Sequence, residues 1–397
     1  MKKKVYLITN YFHFASEKAS NRYRELAEML SRESDIELEV ITSAFYQRTK
    51  KFRENQEELA SGVPYKVTFI YEPGYQKNVS LGRLKTSRVF AKNTLKYIKS
   101  QPKPALIYQV VPTLDVASSV GKFANDNGIP FVLDVQDLWP EAFKMALNIP
   151  VVSDILFAPY TALANKAYKS ADAVCAVSKT YVERVLSVNK KCDSGHPVFI
   201  GINLAVFDEN AKGAEKAGDR VKLAYCGSLS ESYDIKLVID ALALLENPPL
   251  FVVMGDGSSK QNFENYAKEK NVEAEFIGYL PYSDMCRELC SCDITINPII
   301  GSSVATIINK HGDYAACGLP VINTQRSEEY CELVEDYEMG FNSVSGDASE
   351  LAEKIRILTE DEALRRRMGE NSRRCAEEKF DRRNTYKELV EVIKGLI

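Results

Sequence analysis

The sequence predicts an α/β protein made of two consecutive, doubly wound, Rossmann-like halves. Short apolar runs alternate with helical stretches over 397 residues, and such alternation is typical of parallel sheets covered by helices on both faces. The pattern runs through the first half and then restarts. The length also fits two domains at roughly 150 residues each.

The first half, residues 1–205, is expected to form one domain. Its first strand is followed by a helix near Ser20–Ser31, which places Tyr23, Leu26, Ala27 and Leu30 on one face. The predicted strands are Lys4–Thr9, Glu37–Thr42, Ala105–Val110, Phe131–Val135, Ala173–Val177 and Val198–Ile202.

A polar stretch rich in Gly and Ala, residues 211–220, predicts a linker or an exposed loop, and the pattern restarts after it. The second domain is expected over residues 206–380. A last helix is predicted over Asn384–Leu396. The other predicted helices are Asp234–Leu245, Ser259–Lys270, Asp347–Glu360 and Asp361–Phe380, and the strands are Lys222–Cys226, Leu250–Met254, Glu275–Ile277, Ile294–Asn297 and Val321–Asn323.

Charge is distributed unevenly. The net formal charge of −4 combines +8 over residues 1–200 with −12 over residues 201–397, which favours two domains with different partners. The acidic pI of about 5.7 and the lack of a recognised binding motif argue against nucleic acid. The apolar run after Lys2–Lys4 is too short for a signal peptide, and no run is long enough to span a membrane, so we expect a cytoplasmic protein.

The nine cysteines are odd in number and scattered, which is typical of reduced thiols packed as small apolar side chains. Cys286, Cys290 and Cys292 are close in sequence, but no second Cys/His pair lies nearby, as a zinc site requires. We therefore expect no metal centre.

In the first half, two segments could bind an organic acceptor. The loop over residues 9–16 contains His13 among aromatic and polar residues and lacks the G-x-G-x-x-G of a dinucleotide site. The loop over residues 9–16 could equally serve only to pack against its neighbours. The segment DVQDLWPE (134–141) places Asp137 just beyond a buried strand, followed by Trp139 and Glu141. Asp137 could also serve as a helix N-cap.

In the second half, two strands end in glycine loops, Cys226-Gly227-Ser228 and Gly255-Asp256-Gly257. We expect free N–H groups there at helix N-termini, where anions bind. Two such loops in one domain make a nucleotide plausible, although each could be only a tight turn.

The segment NKHGDYAACGLPVIN (309–323) contains Lys310 and Asp313 three residues apart, which share a face if the segment is helical. The cation could bind a phosphate and the carboxylate a ribose diol. The alternative is a local ion pair on the surface.

Residues 77–103 contain eight cations and no acid, with apolar residues interspersed. A basic amphipathic stretch suits an anionic membrane surface, and the apolar residues 150–160 would extend that surface. The alternative is a solvated helix whose apolar face packs in the core.

The order and spacing of DVQDLWPE, CGSLSESYDI (226–235), GDG (255–257), FIGYLPY (276–282) and NKHGDYAACGLPVIN resemble the GT-B glycosyltransferases of family 4, most of all the bacterial branch that builds capsular polysaccharide, exopolysaccharide or O-antigen. The resemblance implies two Rossmann-like domains facing across a cleft, the first binding the acceptor and the second the donor. It also implies that the helix in residues 381–397 packs back on the first domain.

The activity that the resemblance implies is retaining transfer of a hexosyl or N-acetylhexosaminyl group from a nucleotide-diphosphate sugar, which we expect to be UDP-linked, to a lipid-linked saccharide. No metal is needed, and the enzyme would work at the inner face of the cell membrane. By the same resemblance Lys310 neutralises the leaving diphosphate, and Asp137 orients or deprotonates the acceptor. The implied donor-binding residues are Gly227, Ser228, Gly255, Asp256, Gly257, Tyr279, Thr306, Asp313 and Glu328, and the acceptor-binding residues are His13, Trp139 and Glu141.

The chain departs from the family pattern at four positions: Gln136 replaces a His, Ser228 an Arg, Tyr233 a Lys, and Ala305 the first of two paired acids. The diphosphate would then depend on Lys310 and on N–H groups near Gly227 and in 302–306. These departures keep two alternatives open: a GT-B sugar-nucleotide epimerase and a non-catalytic partner subunit. The sequence does not fix the oligomeric state.

Overall fold

The computed structural model describes residues 2–17, 22–77, 80–141, 150–216, 218–300 and 306–397. The chain divides into two compact units. The N-terminal unit comprises Met1–Phe199 together with Tyr386–Ile397, and the C-terminal unit comprises Ile200–Thr385. Each unit contains its own parallel sheet with helices around it.

The N-terminal unit is built on a seven-stranded parallel sheet. Its strands are β1 (Lys3–Ile8), β2 (Ile36–Ser43), β5 (Lys66–Ile70), β6 (Leu106–Val111), β7 (Phe131–Val135), β8 (Ala173–Ala176) and β9 (His196–Pro197), and a separate pair is formed by β3 (Phe45–Tyr46) and β4 (Lys51–Phe52). The strand order is β5-β2-β1-β6-β7-β8-β9, so the winding direction reverses between β1 and β6.

The central strands of this sheet are fully buried, because helices cover both faces and apolar residues occupy consecutive positions rather than alternate ones. The helices are α1 (Arg22–Arg32), α2 (Gln56–Ser61), α3 (Leu81–Lys99), α4 (Leu114–Asp126), α5 (Pro150–Tyr168) and α6 (Lys179–Leu186).

The C-terminal unit contains a six-stranded parallel sheet. Its strands are β10 (Lys222–Cys226), β11 (Leu250–Met254), β12 (Ala274–Gly278), β13 (Ile294–Asn297), β14 (Val321–Asn323) and β15 (Gly340–Asn342). The order is β12-β11-β10-β13-β14-β15, and the winding reverses between β10 and β13. The helices are α7 (Leu204–Ala211), α8 (Ile235–Ala243), α9 (Lys260–Glu269), α10 (Tyr282–Cys290), α11 (Asn309–Ala316), α12 (Glu328–Asp336), α13 (Ala348–Glu360) and α14 (Glu362–Cys375).

The last helix, α15 (Arg382–Gly395), contributes to the core of the N-terminal unit. Its apolar side chains recur every three or four residues, as an amphipathic helix requires. Tyr386, Leu389 and Ile393 are fully buried and pack with residues of β1 and α1. The ring of Tyr386 also lies against the guanidinium of Arg22, at 5.1 Å.

Most predicted elements are confirmed, with three corrections. The strand predicted over Val198–Ile202 is wrong: pairing with β8 stops at Pro197, and Ile202 instead forms an isolated bridge with Asp381. The edge strands β5 and β15 were not predicted, although β5 (KVTFI) is rich in the β-branched and aromatic residues typical of strands. The long helix predicted over Asp361–Phe380 ends at Cys375 and continues as a π turn to Phe380.

The predicted loop after α7 is confirmed, since the described residues from 212 to 220 form no helix or strand. All nine cysteines are free. Within the described residues no group of three or more His, Cys, Asp or Glu side chains could hold a metal ion. Among the helices of the described ranges, none combines the length and the apolar character of a membrane span.

Candidate functional site

The glycines of the two predicted loops pack directly against each other after β10 and β11. A Cβ added at Gly255 would lie 1.8 Å from the carbonyl oxygen of Gly227, and one at Gly257 would lie 2.2 Å from that of Leu229. Both Gly227 and Gly255 have positive φ, 151° and 147°. The loops therefore need glycine because two backbones cross at contact distance.

The expectation of free N–H groups on these glycines is wrong. The N–H of Gly227 donates to Met254, that of Gly255 to Gly278, and that of Gly257 to the Asp256 side chain. Gly227 also lies well before α8, whose N-cap is Asp234. These three glycine N–H groups are therefore engaged within the protein, by β11, β12 and the Asp256 side chain, and a charged side chain is needed to complement them for an anion.

That charge is available at Lys310, near the N-terminus of α11. Its side chain is 9% exposed, and its Nζ lies 4.3 Å from the ring centre of Tyr225 and 3.9 Å from that of Tyr233. A Cβ on Gly227 would lie 2.8 Å from Nζ. The ammonium group thus sits where β10 ends, beside the reversal between β10 and β13, which is where ligands bind in doubly wound sheets.

The Lys310 ammonium has no hydrogen-bond partner among the described residues. Burial lowers the pKa of Lys310 to about 7, and the two tyrosine faces supply only cation–π attraction. The Tyr225 hydroxyl donates to the Ser228 carbonyl, 2.7 Å away. A buried cation of this kind is stabilised when an anion reaches it.

The alternative of a surface ion pair between Lys310 and Asp313 is wrong, because Lys310 is buried against the two tyrosines. Asp313 accepts a hydrogen bond from the Tyr282 hydroxyl at 2.9 Å, and burial raises its pKa to about 6. The two side chains lie on one helix but contact different groups.

A buried polar network holds the start of α11. The Ile308 N–H donates to Nδ1 of His311 at 3.3 Å, and the imidazole stacks on Tyr330 with ring centres 3.5 Å apart. Burial keeps the pKa of His311 well below its ordinary value. From β13, Asn297 contacts His311 Nε2. This network fixes the backbone that carries Lys310.

The remaining predicted donor residues lie around these loops in the C-terminal unit. Asp256 and Ser228 are exposed, and Tyr279 is 76% exposed just after β12. The Thr306 carbonyl accepts a hydrogen bond from Gln325. Glu328 is the exposed first residue of α12. Ser302 and Ala305, which entered the diphosphate prediction, lie outside the described residues.

In the N-terminal unit, Asp137 follows β7 and is exposed, yet the atoms packed around it raise its pKa to about 6, opposed by the charge of Arg83. The guanidinium of Arg83 lies 4.5 Å from the ring centre of Trp139 and donates to the Tyr11 hydroxyl at 2.9 Å. Asp137, Arg83 and Trp139 therefore form one neighbourhood.

The structure does not bring His13 and Glu141 into that neighbourhood. His13 contacts Tyr46 edge to face, and burial lowers its pKa to about 4, so its ring is neutral at pH 7. Glu141 accepts a hydrogen bond from Arg184 at 2.5 Å. His13 Nδ1 and Glu141 Oε2 are nevertheless buried without a hydrogen-bond partner among the described residues, so an acceptor-binding role for these two residues stays a prediction.

A cavity of about 390 Å³ opens in the N-terminal unit between α3, α5 and the ends of β1 and β6. It lies at the reversal point of that sheet, the counterpart of the position of Lys310 in the other unit. Trp139 lines it, but most of its polar residues were not predicted. The buried ones among them are Asn10, Gln47, Glu72, Thr86 and Thr113.

One signal, a position just after a strand, could have revealed three of these residues. Asn10 and Thr113 directly follow the apolar strands β1 and β6, where side chains reach the ligand edge of a parallel sheet. Glu72 follows β5, which was missed, so its position at the same edge was not recognised.

Helix α3 (Leu81–Lys99) makes up most of the basic stretch of residues 77–103. Its apolar residues Phe90 and Ile98 pack in the core, as the solvated-helix alternative expects. The cations at 85, 88, 92, 96 and 99 are exposed and recur every three or four residues. Leu81, at the start of the helix, is 83% exposed.

Residues 206–375 match the family model described as "Glycosyl transferases group 1". An uncharacterized glycosyltransferase of Methanocaldococcus jannaschii, MJ1178, is 25% identical over 208 residues, which are 52% of this chain and 55% of that protein. The alignment thus spans about half the length of this curated relative.

Three solved structures match over nearly the whole chain. HepE from Anabaena in complex with UDP is 15% identical, with a TM-score of 0.69 and coverage of 99% of this chain and 100% of that one. Sucrose-phosphate synthase from Thermosynechococcus elongatus is 16% identical, with a TM-score of 0.72 and coverage of 100% and 99%. WaaG, a glycosyltransferase involved in lipopolysaccharide biosynthesis, is 15% identical, with a TM-score of 0.63 and coverage of 98% and 100%.

At these identities the structural matches establish the fold rather than the substrate. Together with the two parallel, Rossmann-like units, they show that this chain has the GT-B fold, and residues 206–375 are similar to the glycosyl transferases group 1 model.

Proposed function

We propose that this protein is a retaining glycosyltransferase of family 4 that moves a sugar from a UDP-linked donor to a lipid-linked saccharide in surface polysaccharide synthesis. The observation that carries the proposal is the buried Lys310 ammonium, which has no hydrogen-bond partner among the described residues and lies beside the Gly227 loop. The match to glycosyl transferases group 1 over the same unit supports it.

Lys310 would neutralise the diphosphate as it leaves, which is the charge that must be stabilised in this reaction. Because the acceptor hydroxyl would attack the face from which the diphosphate departs, the sugar keeps its configuration. Lys310 supplies a charge that other enzymes take from a divalent cation, and we propose that no metal is required. Asp313 and Glu328 would bind the ribose and the sugar.

Asp137 is proposed to orient or deprotonate the acceptor hydroxyl. A carboxylate whose pKa is raised to about 6 is a better proton acceptor near neutral pH than an ordinary aspartate, and it remains largely ionised there.

The exposed cations of α3 are proposed to bring the enzyme to the anionic inner face of the cell membrane. Each cation near such a surface contributes about 1 kcal/mol of attraction. Leu81 at the end of this row would add apolar contact. A lipid-linked acceptor is available only at that surface.

The test is donor binding and transfer by the purified full-length chain. UDP- and GDP-sugars are screened by thermal shift, because a ligand that binds the folded state raises the melting temperature. Lys310→Ala should weaken UDP-glucose binding by about tenfold or more, as expected for loss of a charged hydrogen bond. The matched control is Lys236→Ala, since Lys236 also lies over a tyrosine ring, that of Tyr266 at 4.9 Å.

Equal UDP-glucose affinity in Lys310→Ala and the wild type would refute the assignment of Lys310. The anomeric configuration of the product, read by NMR, decides between retention and inversion. Donor binding without transfer to any prenyl-diphosphate-linked sugar would instead support the non-catalytic alternative.

A further inference from the structure

The cavity of the N-terminal unit combines a polar floor with apolar walls. Its floor is formed by four side chains that are more than nine-tenths buried, and its walls are largely aromatic and aliphatic. The floor residues are Asn10, Gln47, Glu72 and Thr113, and the wall residues include Tyr75, Leu81, Leu84, Trp139, Phe157 and Tyr160.

The floor is a connected set of hydrogen bonds. The Glu72 carboxylate accepts from Ser43 at 2.7 Å and from the Asn10 amide at 3.2 Å. The Asn10 side-chain oxygen in turn accepts from the Thr113 hydroxyl at 2.9 Å. These contacts fix the direction in which each group faces the cavity.

One hydrogen-bond-accepting oxygen of the cavity floor has no donor among the described residues. Gln47 donates its amide N–H to the Asn10 carbonyl at 2.7 Å, but its Oε1 is buried without a hydrogen-bond partner among the described residues. A buried, unpaired acceptor is costly unless a ligand supplies a donor. The occupant should therefore carry an O–H or N–H group.

The charges of the cavity disfavour an anion. The cationic side chain of Arg83 lines the cavity, donates a hydrogen bond to the Tyr11 hydroxyl and lies over the ring of Trp139. Asp115 and Glu72 also line the cavity, and burial raises the pKa of Glu72 to about 7. A phosphate or carboxylate would lie close to these acids and oppose their ionisation, whereas a neutral ligand brings no such repulsion.

We infer that this cavity binds one uncharged pyranose ring of the acceptor, with the polar face of the ring on Asn10, Gln47 and Glu72 and its C–H face against Tyr75 and Trp139. This assignment of the ring to the acceptor rests on the proposed transferase function. About 390 Å³ is near the lower limit of small-molecule sites, roughly 300–1,000 Å³, which suits a single ring with its substituents. The position at the β1/β6 reversal matches the ligand edge of the fold.

The direct test is binding of defined probes to the full-length protein by saturation-transfer NMR and calorimetry. The probes are methyl β-glucopyranoside and methyl N-acetyl-β-glucosaminide, which offer O–H alone or O–H together with N–H. Hexanol serves as a purely apolar probe and glucose 6-phosphate as a charged one. At least one of the methyl glycosides should bind, and it should bind more tightly than hexanol or glucose 6-phosphate.

Three variants locate the site. Leu84→Trp fills the cavity from α3, and Glu72→Gln and Gln47→Met alter the floor. Each should weaken glycoside binding at least fivefold. The controls are Leu244→Trp at an exposed leucine of the C-terminal unit and Glu37→Gln at an exposed acid on β2, which should leave binding unchanged.

Failure of glycosides to bind, preference for hexanol or glucose 6-phosphate, or equal glycoside binding by Leu84→Trp and both floor variants would overturn the inference. UDP-glucose binding is measured in the same variants and should not change. Lost UDP-glucose binding in the wild type together with intact glycoside binding would refute the proposed donor, not the cavity.

Discussion

Lys310 is proposed to take the place of two cations. By the family resemblance, Ser228 and Tyr233 stand where related sequences place Arg and Lys, and the Lys310 ammonium lies over the ring of Tyr233. In the proposed donor site the cation therefore comes from α11 rather than from the loop after β10. The sequence could place a lysine on a helix, but only the packing shows that its charge lacks a partner among the described side chains.

The lowered pKa of Lys310, about 7, predicts pH-dependent donor binding. An anion favours the charged lysine, so UDP-glucose affinity should fall as the pH rises above about 7, with proton uptake on binding. UDP-glucose is the suitable probe because its diphosphate has no titrating proton near neutral pH.

Lys310→Arg should abolish this pH dependence, because a guanidinium stays charged throughout. Calorimetry in buffers of different ionisation enthalpy measures the proton uptake directly. A flat affinity profile from pH 6 to 9 in the wild type would contradict the prediction.

The same shift has a consequence for stability. Between about pH 7 and 10.5 the unfolded lysine binds a proton that the folded one does not, so burial of Lys310 costs stability that is regained as the pH rises through this range. Removing it should therefore harm donor binding more than folding.

Protonation of Asp137 should produce a second pH dependence, visible in the turnover number. With its pKa raised to about 6, the unprotonated base accumulates as the pH rises through 6, and turnover should rise with it. Asp137→Asn should lower kcat by roughly 10²-fold or more and remove that limb of the profile.

The control for Asp137 is Asp126→Asn, an exposed acid paired with Lys122, which should retain the wild-type profile. If the turnover of Asp137→Asn still rises through pH 6 as in the wild type, the group that titrates there is not Asp137.

At the scale of elements, α3 presents two different faces. Its buried face, with Phe90 and Ile98, holds the helix in the core, while its cations form an exposed row. The sequence left a membrane surface and a solvated helix as alternatives. In the structure, the apolar face of α3 packs in the core, as expected for a solvated helix. The exposed face of the same helix carries the row of cations on which the membrane proposal rests.

The α3 row predicts binding to anionic vesicles. The double variant Lys85→Glu/Lys92→Glu should lose most sedimentation with vesicles containing phosphatidylglycerol, since each cation contributes about 1 kcal/mol. The matched control, Lys212→Glu/Lys268→Glu, makes the same change in net charge at exposed sites of the C-terminal unit. Equal sedimentation of the two variants, or equal binding of the wild type to neutral vesicles, would remove the membrane proposal.

At the scale of the molecule, α15 makes the N-terminal unit discontinuous in sequence. Tyr386, Leu389 and Ile393 are fully buried with residues of β1 and α1. Burial of each such side chain stabilises by roughly 1.5–3 kcal/mol, which together is a large part of the 5–15 kcal/mol typical of a domain.

Deleting residues 386–397 should therefore unfold or aggregate the N-terminal unit. Circular dichroism melting of the truncated chain should show a loss of structure larger than that of the deleted helix. The substitutions Lys387→Ala and Glu391→Ala on the same segment serve as the control. A truncated chain that melts like the wild type would contradict this role of α15.

The sequence by itself determined the α/β class, most strands and helices, and the segments that carry the candidate residues. It could do so because apolar runs and glycine turns are local signals. Tertiary structure decided which donors are free: the N–H groups of Gly227, Gly255 and Gly257 donate to Met254, Gly278 and the Asp256 side chain, and Lys310 is left without a hydrogen-bond partner in the described structure.

The cavity of the N-terminal unit likewise follows from packing alone. Asn10, Glu72 and Thr113 are far apart in sequence and meet because β1, β5 and β6 end at the same edge of the sheet, and Gln47 joins them from the segment after β3. No local pattern encodes that meeting, because burial and partner choice depend on which strands become neighbours.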